Sequence, residues 1–539
     1  MRSTLTRRVG IAAASLSLLS LAACGGDSDS DKSGGGGGGD TSLSVAWTST
    51  PSELDPNLYG GNPDVYLGHA HMGTILAYKV DGDPEKIVGL QDVEPGLAES
   101  WEVSEDNLTY TFKLREGIKS QYGNELTSDD VVWTFERMTS DPATLQASVL
   151  LPTTNVDLDE PVTKVDDYTF TLNLTAPSAQ ALSVMAYPIL GILDSDEIKK
   201  HVTPDDKYGS KWLATNSASF GAYNVSSFEP GTEVRLTANE NWYGDQPDFT
   251  DIVIRAVPDG SSRAQLLVSG EVDLISEPPI DQFKTIEDGA NTSVFKGPDI
   301  FRHNWTFNTL DPVLKDPLVR KALSHAVNRE SIAESIYQGY ATPAYTPQST
   351  QLYAEQPETG TYDPELAKEL LAEAGYADGF DLQIAFSAER PGPYAENIAR
   401  LIQSDLAAVG VKASLNGVAA VADFQAGVSG KKYQSFLYTE RPSQPDIGFG
   451  LFLYLNSKSV LNTSAVSLPR LDEISIETLR MAPGEEREAL IAEGLDIIAE
   501  SEPIANLVDM PALAGINDSI GGYKPLTSGG YRFEKLTRE

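Results

Sequence analysis

Three observations on this sequence predict an α/β fold divided into two lobes. The 499 residues that follow Asp40 exceed the roughly 250–300 that one hydrophobic core serves, so at least two lobes are needed. Residues 362–415 read as helix, strand, helix and strand with short joints, the pattern of parallel strands with helices on the sheet faces. Elsewhere, runs such as Tyr110-Thr111-Phe112-Lys113-Leu114 alternate apolar and polar residues, the mark of a strand with one wet face.

The N-terminus is an address. Arg2, Arg7 and Arg8 precede an uncharged apolar run over 9–23, and Ala22 and Ala23 stand before Cys24, the only cysteine. Charge, short apolar run and small residues make a signal peptide over 1–23. At about 1.5 Å per residue the run reaches only about 22 Å, short of a bilayer's core of about 30 Å. The Ala-Ala-Cys site resembles the lipobox of bacterial lipoproteins, in which the thiol is lipidated. A lone thiol has no disulfide partner in its own chain, and two acyl chains hold a membrane stably where one does not. Arg7-Arg8 also resembles a twin-arginine signal, which leaves the export route open. Residues 24–40 carry a Gly/Ser/Asp-rich tether with no apolar residue after Cys24, expected to span about 20–24 Å. No later apolar run approaches 18 residues, so the body is expected to be soluble and held only by lipid, outside the cytoplasmic membrane. Removing residues 1–23 takes away three arginines and no acid, carrying the formal charge from −38 to −41. That charge repels phosphate backbones and argues against nucleic acid as a partner.

Taken in order, a strand is expected at 44–47 and an irregular stretch rich in Gly, Asn, Pro and Tyr follows it. Thr127 is placed to cap a helix running to about Met138, with Asp130 reaching back to the cap amide. A second alternating strand covers 168–174, and 251–275 reads as strand, helix, strand. Asp363 caps the next helix, Pro364 fits its first position, and Leu366, Leu370, Leu371 and Ala374 form one face ended by Gly375. A strand at 381–386, a helix ended by Gly410 and a strand at 411–415 complete the second unit.

These blocks together carry a resemblance. PGLAESWEVSEDNLTYTFKLREGIK and GNELTSDDVVWTFERM (95–138), VDDYTFTLNLTAPS (165–178) and FGAYNVSSFEPGTEVRLTANENWYG (220–244) come first. IVIRAVPDGSSRAQLLVSGEVDLI (252–275), FNTLDPVLKDPLVRKALSHAVNRESI (307–332) and YDPELAKELLAEAGYADGFDL (362–382) follow in the same order. The chain is similar to family 5 extracellular solute-binding proteins, the binding components of bacterial ABC importers for peptides, nickel and opines. The resemblance implies a two-lobed periplasmic-binding-protein-like fold of type II. It implies a first lobe over 41–300 with an extra subdomain at about 79–215, a second over 301–505, and 506–539 returning to the first. The hinge is expected as two chain crossings, near 299–305 and 502–511. A monomer that closes on a small solute, foremost an oligo- or dipeptide, and delivers it to a membrane permease is implied. An opine, an oligosaccharide or a nickel chelate is the alternative solute.

No enzyme is expected: G-x-S-x-G, G-x-x-x-x-G-K-[ST], H-E-x-x-H and C-x-x-C are all absent. A secreted hydrolase or a sensor on the same fold is the competing class, and a nucleophile–base pair would mark the first. No cofactor or metal is expected, since His69-Ala70-His71 is the only metal-like pair and on a helix its rings diverge. Clefts between lobes favour aromatic walls with a few polar groups, and three irregular aromatic stretches qualify: Tyr59 with Tyr66, 301–307, and 436–454. Trp305 lies at the expected hinge. In peptide-binding members of the family, the region matching 436–446 carries a Trp and then an Asp for the ligand's ammonium. Here Tyr438 stands in the place of the Trp and Glu440-Arg441 in that of the acid. Glu440 or Asp446 is expected to meet an ammonium, and Arg441 a carboxylate in a bidentate pair.

Overall fold

A computed structural model describes residues 41–539 apart from 60, 81–85, 143, 389, 391, 442 and 443, and apart from the side chain of 300. The signal, Cys24 and the tether lie outside the described residues.

The passage between the lobes is a paired ribbon of backbone. Thr292–Phe307, rich in β-branched and aromatic residues, and the mostly apolar Ile504–Asn517 run antiparallel through both expected crossings. Their pairing loses register between Lys296 and Asp299 and again before Phe301. The cause is legible in the residues: Pro298 follows Gly297, and Asp299 stands opposite Pro511. Neither proline has an N–H for the ladder, so the two strands are held least where they cross.

This ribbon sits inside an eleven-stranded sheet of the described residues. On one side lie Ser435–Glu440, Asp381–Phe386 and Lys412–Gly417, with the last pair parallel as expected. On the other come Leu274–Ser276, Ser42–Trp47, Asp251–Ala256, Glu233–Ala238 and Tyr223–Glu229. One detail departs from the strand-helix-strand reading of 251–275. Those two strands do not touch, because Ser42–Trp47 lies between them and pairs parallel with both. Its residues Leu43, Val45 and Ala46 are fully buried, and a strand shielded on both faces takes the centre of the sheet.

Helix signals are realised as expected. Asp130 accepts the Thr127 amide at 2.9 Å ahead of the helix Ser128–Ser140. Asp363 accepts the amides of Glu365 and Leu366 at 3.1 and 3.0 Å ahead of Pro364–Glu373. A separate four-stranded sheet, Ala98–Val103, Thr109–Leu114, Thr169–Asn173 and Val162–Asp166, falls within 79–215. Distinct apolar clusters underlie these parts. One joins Phe112, Phe135 and Phe170, one Trp47, Phe249 and Ile254, and one Trp305, Phe307 and Ile384.

Candidate functional site

Where the ribbon loosens, a pocket opens that is lined from both crossing strands. Asp299, Phe301 and Arg302 line it from the first crossing strand and Asp509 from the second. Leu352, Glu440 and Tyr454 form one flank, and Ile87 and Thr527 the other.

Its charge is unbalanced. Glu440 and Asp509 both stand opposite Arg302 in the ladder, giving acid, base, acid across three strands. The arginine has committed itself to one side. Its Nε and Nη2 each donate to Asp509 at 2.6 Å, and its Nη1 donates to the Thr346 carbonyl at 2.8 Å. Glu440 is left with the Asn304 amide and the field of the two arginines. Burial pushes its carboxyl up to about 7, against the pull of Arg302, the Asn304 amide and Arg390. Burial, and then the charge of Asp509, also raise Asp299. The cavity therefore holds two acids whose ionised forms want a cation.

Arg441 sits just beyond. Its guanidinium donates to Asn62 Oδ1 at 2.6 Å and to the Tyr66 hydroxyl at 3.3 Å, both on the helix Asn62–His71. It lies 5.3 Å from the centre of the Phe301 ring, a cation–π distance. Gly529, at φ +93°, makes room for it, since a Cβ there would come within 2.7 Å of the guanidinium. Among the described residues, Arg441 forms no ion pair with a carboxylate.

The remaining expected residues take other places. Tyr438 is half-buried, with Arg390 stacked 4.2 Å over its ring. Asp446 is buried and fully engaged: both oxygens accept from Arg487 at 2.7 Å, and they also cap the amides of Gly448 and Phe449. It borders the cavity, but its acceptor positions are filled by these donors. Trp305 shares a strand face with Phe307, 4.7 Å away, and is fully buried in that lobe's core, so it forms no part of the cavity wall. Tyr59 is buried as well, hydrogen-bonded to His71 Nε2 at 2.9 Å. His69 and His71 are helical and diverge. His71 meets Ser217 at 2.8 Å, while His69 lines a separate pocket beside Tyr78, Trp242 and Arg532. Burial lowers both imidazoles to about 3, so both are neutral. Among the described residues, no group of three or more His, Cys, Asp or Glu is placed to hold a metal ion.

Asp299, Arg302, Arg390 and Asp509 were not singled out from the sequence as site residues. The signal for two of them was present: Arg302 and Asp509 are opposite charges on the two stretches expected to cross.

The acids set a pH dependence. An acid whose folded pKa lies above its usual value stabilises fully below that usual value, and the stabilisation is lost as pH rises through the folded one. Between pH 4.5 and 7, Glu440 is expected to remove about 3 kcal/mol of stability. Urea unfolding across that range should show the loss, and Glu440→Gln should remove it. Glu502, raised to about 7 by burial, titrates in the same window and must persist in that variant. A slope unchanged by Glu440→Gln would refute the assignment.

A cavity lined by both crossing strands of a two-lobed α/β fold fits a solute-binding protein. The chain belongs to the bacterial extracellular solute-binding proteins of family 5, whose middle-region model matches residues 92–460. It is 32% identical over 351 residues to the dipeptide-binding protein of Escherichia coli K12, covering 61% of this chain and 64% of that one. The chain thus spans a little under two thirds of that relative's length. Its fold matches an ABC transporter-associated periplasmic binding protein of Helicobacter pylori in complex with the peptide STSA, with TM-score 0.78 and 24% identity over 92% of this chain and 98% of that one. It also matches NikA of Brucella suis in complex with Fe(III)-EDTA, with TM-score 0.80 and 22% identity over 93% and 100% of the two chains. These relatives are solute-binding proteins. Among the described residues, no helix is long and apolar enough to cross a membrane.

Proposed function

We propose that this protein is the lipid-anchored substrate-binding component of an ABC importer. It captures a small zwitterionic solute, foremost a di- or oligopeptide, and hands it to a membrane permease. The observation that carries the ligand class is the split of charge around the cavity: among the described residues, Glu440 and Asp299 form no ion pair with a cation, and Arg441 none with a carboxylate. An ammonium suits the first pair and a carboxylate the second. The E. coli relative binds dipeptides and the Helicobacter protein was solved with a peptide, which supports the peptide reading. The Brucella protein holds a metal chelate, and an anionic chelate or opine is the second reading, favoured by the cation Arg441 where peptide binders carry an acid. The working boundaries are lobe one over 41–300, with its subdomain at 79–215, lobe two over 301–505, and 506–539 back in lobe one. Diacylation of Cys24 fastens the monomer outside the cytoplasmic membrane, and the tether lets it turn.

Native mass spectrometry of the protein, purified gently from the cells that make it, tests the ligand. Bound masses spaced as amino-acid residues would support a peptide importer, and one non-peptide mass would turn the specificity to the second reading. With the recovered solute as probe, Arg441→Ala is expected to weaken affinity roughly ten- to hundredfold, the loss of a charge-assisted hydrogen bond. Calorimetry showing unchanged affinity would remove Arg441 from the site.

A further inference from the structure

The polar groups around Asp446 do more than fill its valences. Gln180, only 1% exposed, donates its side-chain amide to Asp446 Oδ2 at 3.1 Å across 266 residues of sequence. One turn on, the Ser183 hydroxyl, also buried, donates to Gln444 Oε1 at 2.9 Å. The amide of Asn155 reaches the Leu479 carbonyl at 2.6 Å. Around them Val149 packs against Phe449, Leu453 and Leu479. By the working boundaries, residues 149–183 fall in the extra subdomain and 444–479 in the second lobe, so these contacts join the two. They are made by protein groups alone, and they hold the segment that continues from the Glu440 wall.

We propose that Gln180 and Ser183 are positioning residues that latch the extra subdomain onto the 444–446 segment, so that the two lobes close through protein–protein contacts without drawing on the solute. The inference rests on the two-lobed binding reading above. Arg487 fixes the carboxylate of Asp446 from within its own lobe, so the acceptor is pre-aimed and costs little ordering when Gln180 arrives. Both partners are desolvated when joined, and in low dielectric a hydrogen bond to a charged group strengthens while an unmade one is costly. A closed form populated beforehand raises apparent affinity, because binding is taxed by the fraction of molecules that are not competent. In this reading the latch sets how tightly every solute binds, and the cavity groups set which solute.

The test is a distance. In the full chain with Cys24→Ser, cysteines introduced as Val165→Cys and Val460→Cys, at positions 60% and 84% exposed, carry spin labels for pulsed dipolar spectroscopy. With no solute added, a dominant short distance is expected. Gln180→Glu, which sets a like charge against Asp446, should move the population to longer distances. Ser183→Ala should lower the closed-to-open ratio about tenfold or less, the effect of one buried hydrogen bond. Circular dichroism confirms that each variant is folded, and if Gln180→Glu is not, Ser183→Ala carries the test. A wild-type protein already at long distance, or folded variants that keep the short one, would overturn the latch. Either failure leaves the import reading intact, since the solute is read by mass and not by distance.

Discussion

Arg302→Leu is expected to lower the free energy of unfolding by about 3–5 kcal/mol, the loss seen when one member of a buried ion pair is removed. Arg302 and Asp509 are both more than nine-tenths buried and meet fork to fork. Without the guanidinium, Asp509, Asp299 and Glu440 face one cavity as three acids with no committed base. Protonation would absorb part of the penalty, so the loss should be larger at pH 8 than at pH 5. The double variant Arg302→Leu/Asp509→Leu should recover most of it, since removing both charges leaves nothing stranded. Urea denaturation of the three variants reads this directly. A single-variant loss below about 1 kcal/mol, the range of exposed pairs, would show that the pair is wet.

A loss of similar size is expected far from the cavity. Arg137 on the helix Ser128–Ser140 forms an ion pair with Asp55, and the two side chains are 1% and 0% exposed. Arg137 also donates to Ser210 Oγ at 3.1 Å, while Asp55 caps the amide of Asn57 at 3.0 Å. One pair thus joins three stretches distant in sequence. Arg137→Leu strands a buried carboxylate and should cost about 3–5 kcal/mol. Arg470, which pairs with Glu493 at 2.7 Å while 42% exposed, is the control: Arg470→Ala should cost about 1 kcal/mol or less. Equal losses at the two sites would refute the difference in burial.

The α/β architecture could be read from the chain wherever local rules decide the outcome. Asp363-Pro364 and Gly375 mark both ends of a helix by capping and by left-handed backbone, and the strand 381–386 was legible to the residue. The insertion of Ser42–Trp47 between its two parallel neighbours was not, because strand order depends on which buried edges meet and not on any local pattern. The site was legible in part for the same reason. Glu440 and Arg441 stood out as charges where a family acid is expected, and the structure places both beside the ribbon. Trp305 misled, because an aromatic next to polar residues reads alike whether its strand face turns to a cleft or to a core. Asp446 does line the cavity, but its engagement by Arg487 could not be read, since that partner lies 41 residues away and only folding brings it in.

The sheet that carries the hinge also makes the protein indivisible. A boundary between lobes is usually a place where a gene can be cut and each half expressed alone, but here any such cut would unzip Thr292–Phe307 from Ile504–Asn517 along most of their length. Each half would then present a long, largely buried strand as a bare edge, a template for pairing with other chains. The second strand of this ribbon, Ile504–Asn517, is made long after the first, Thr292–Phe307. Until then the first crossing strand has no partner on that side, so folding of the hinge, and protection from aggregation, wait for the second strand to emerge.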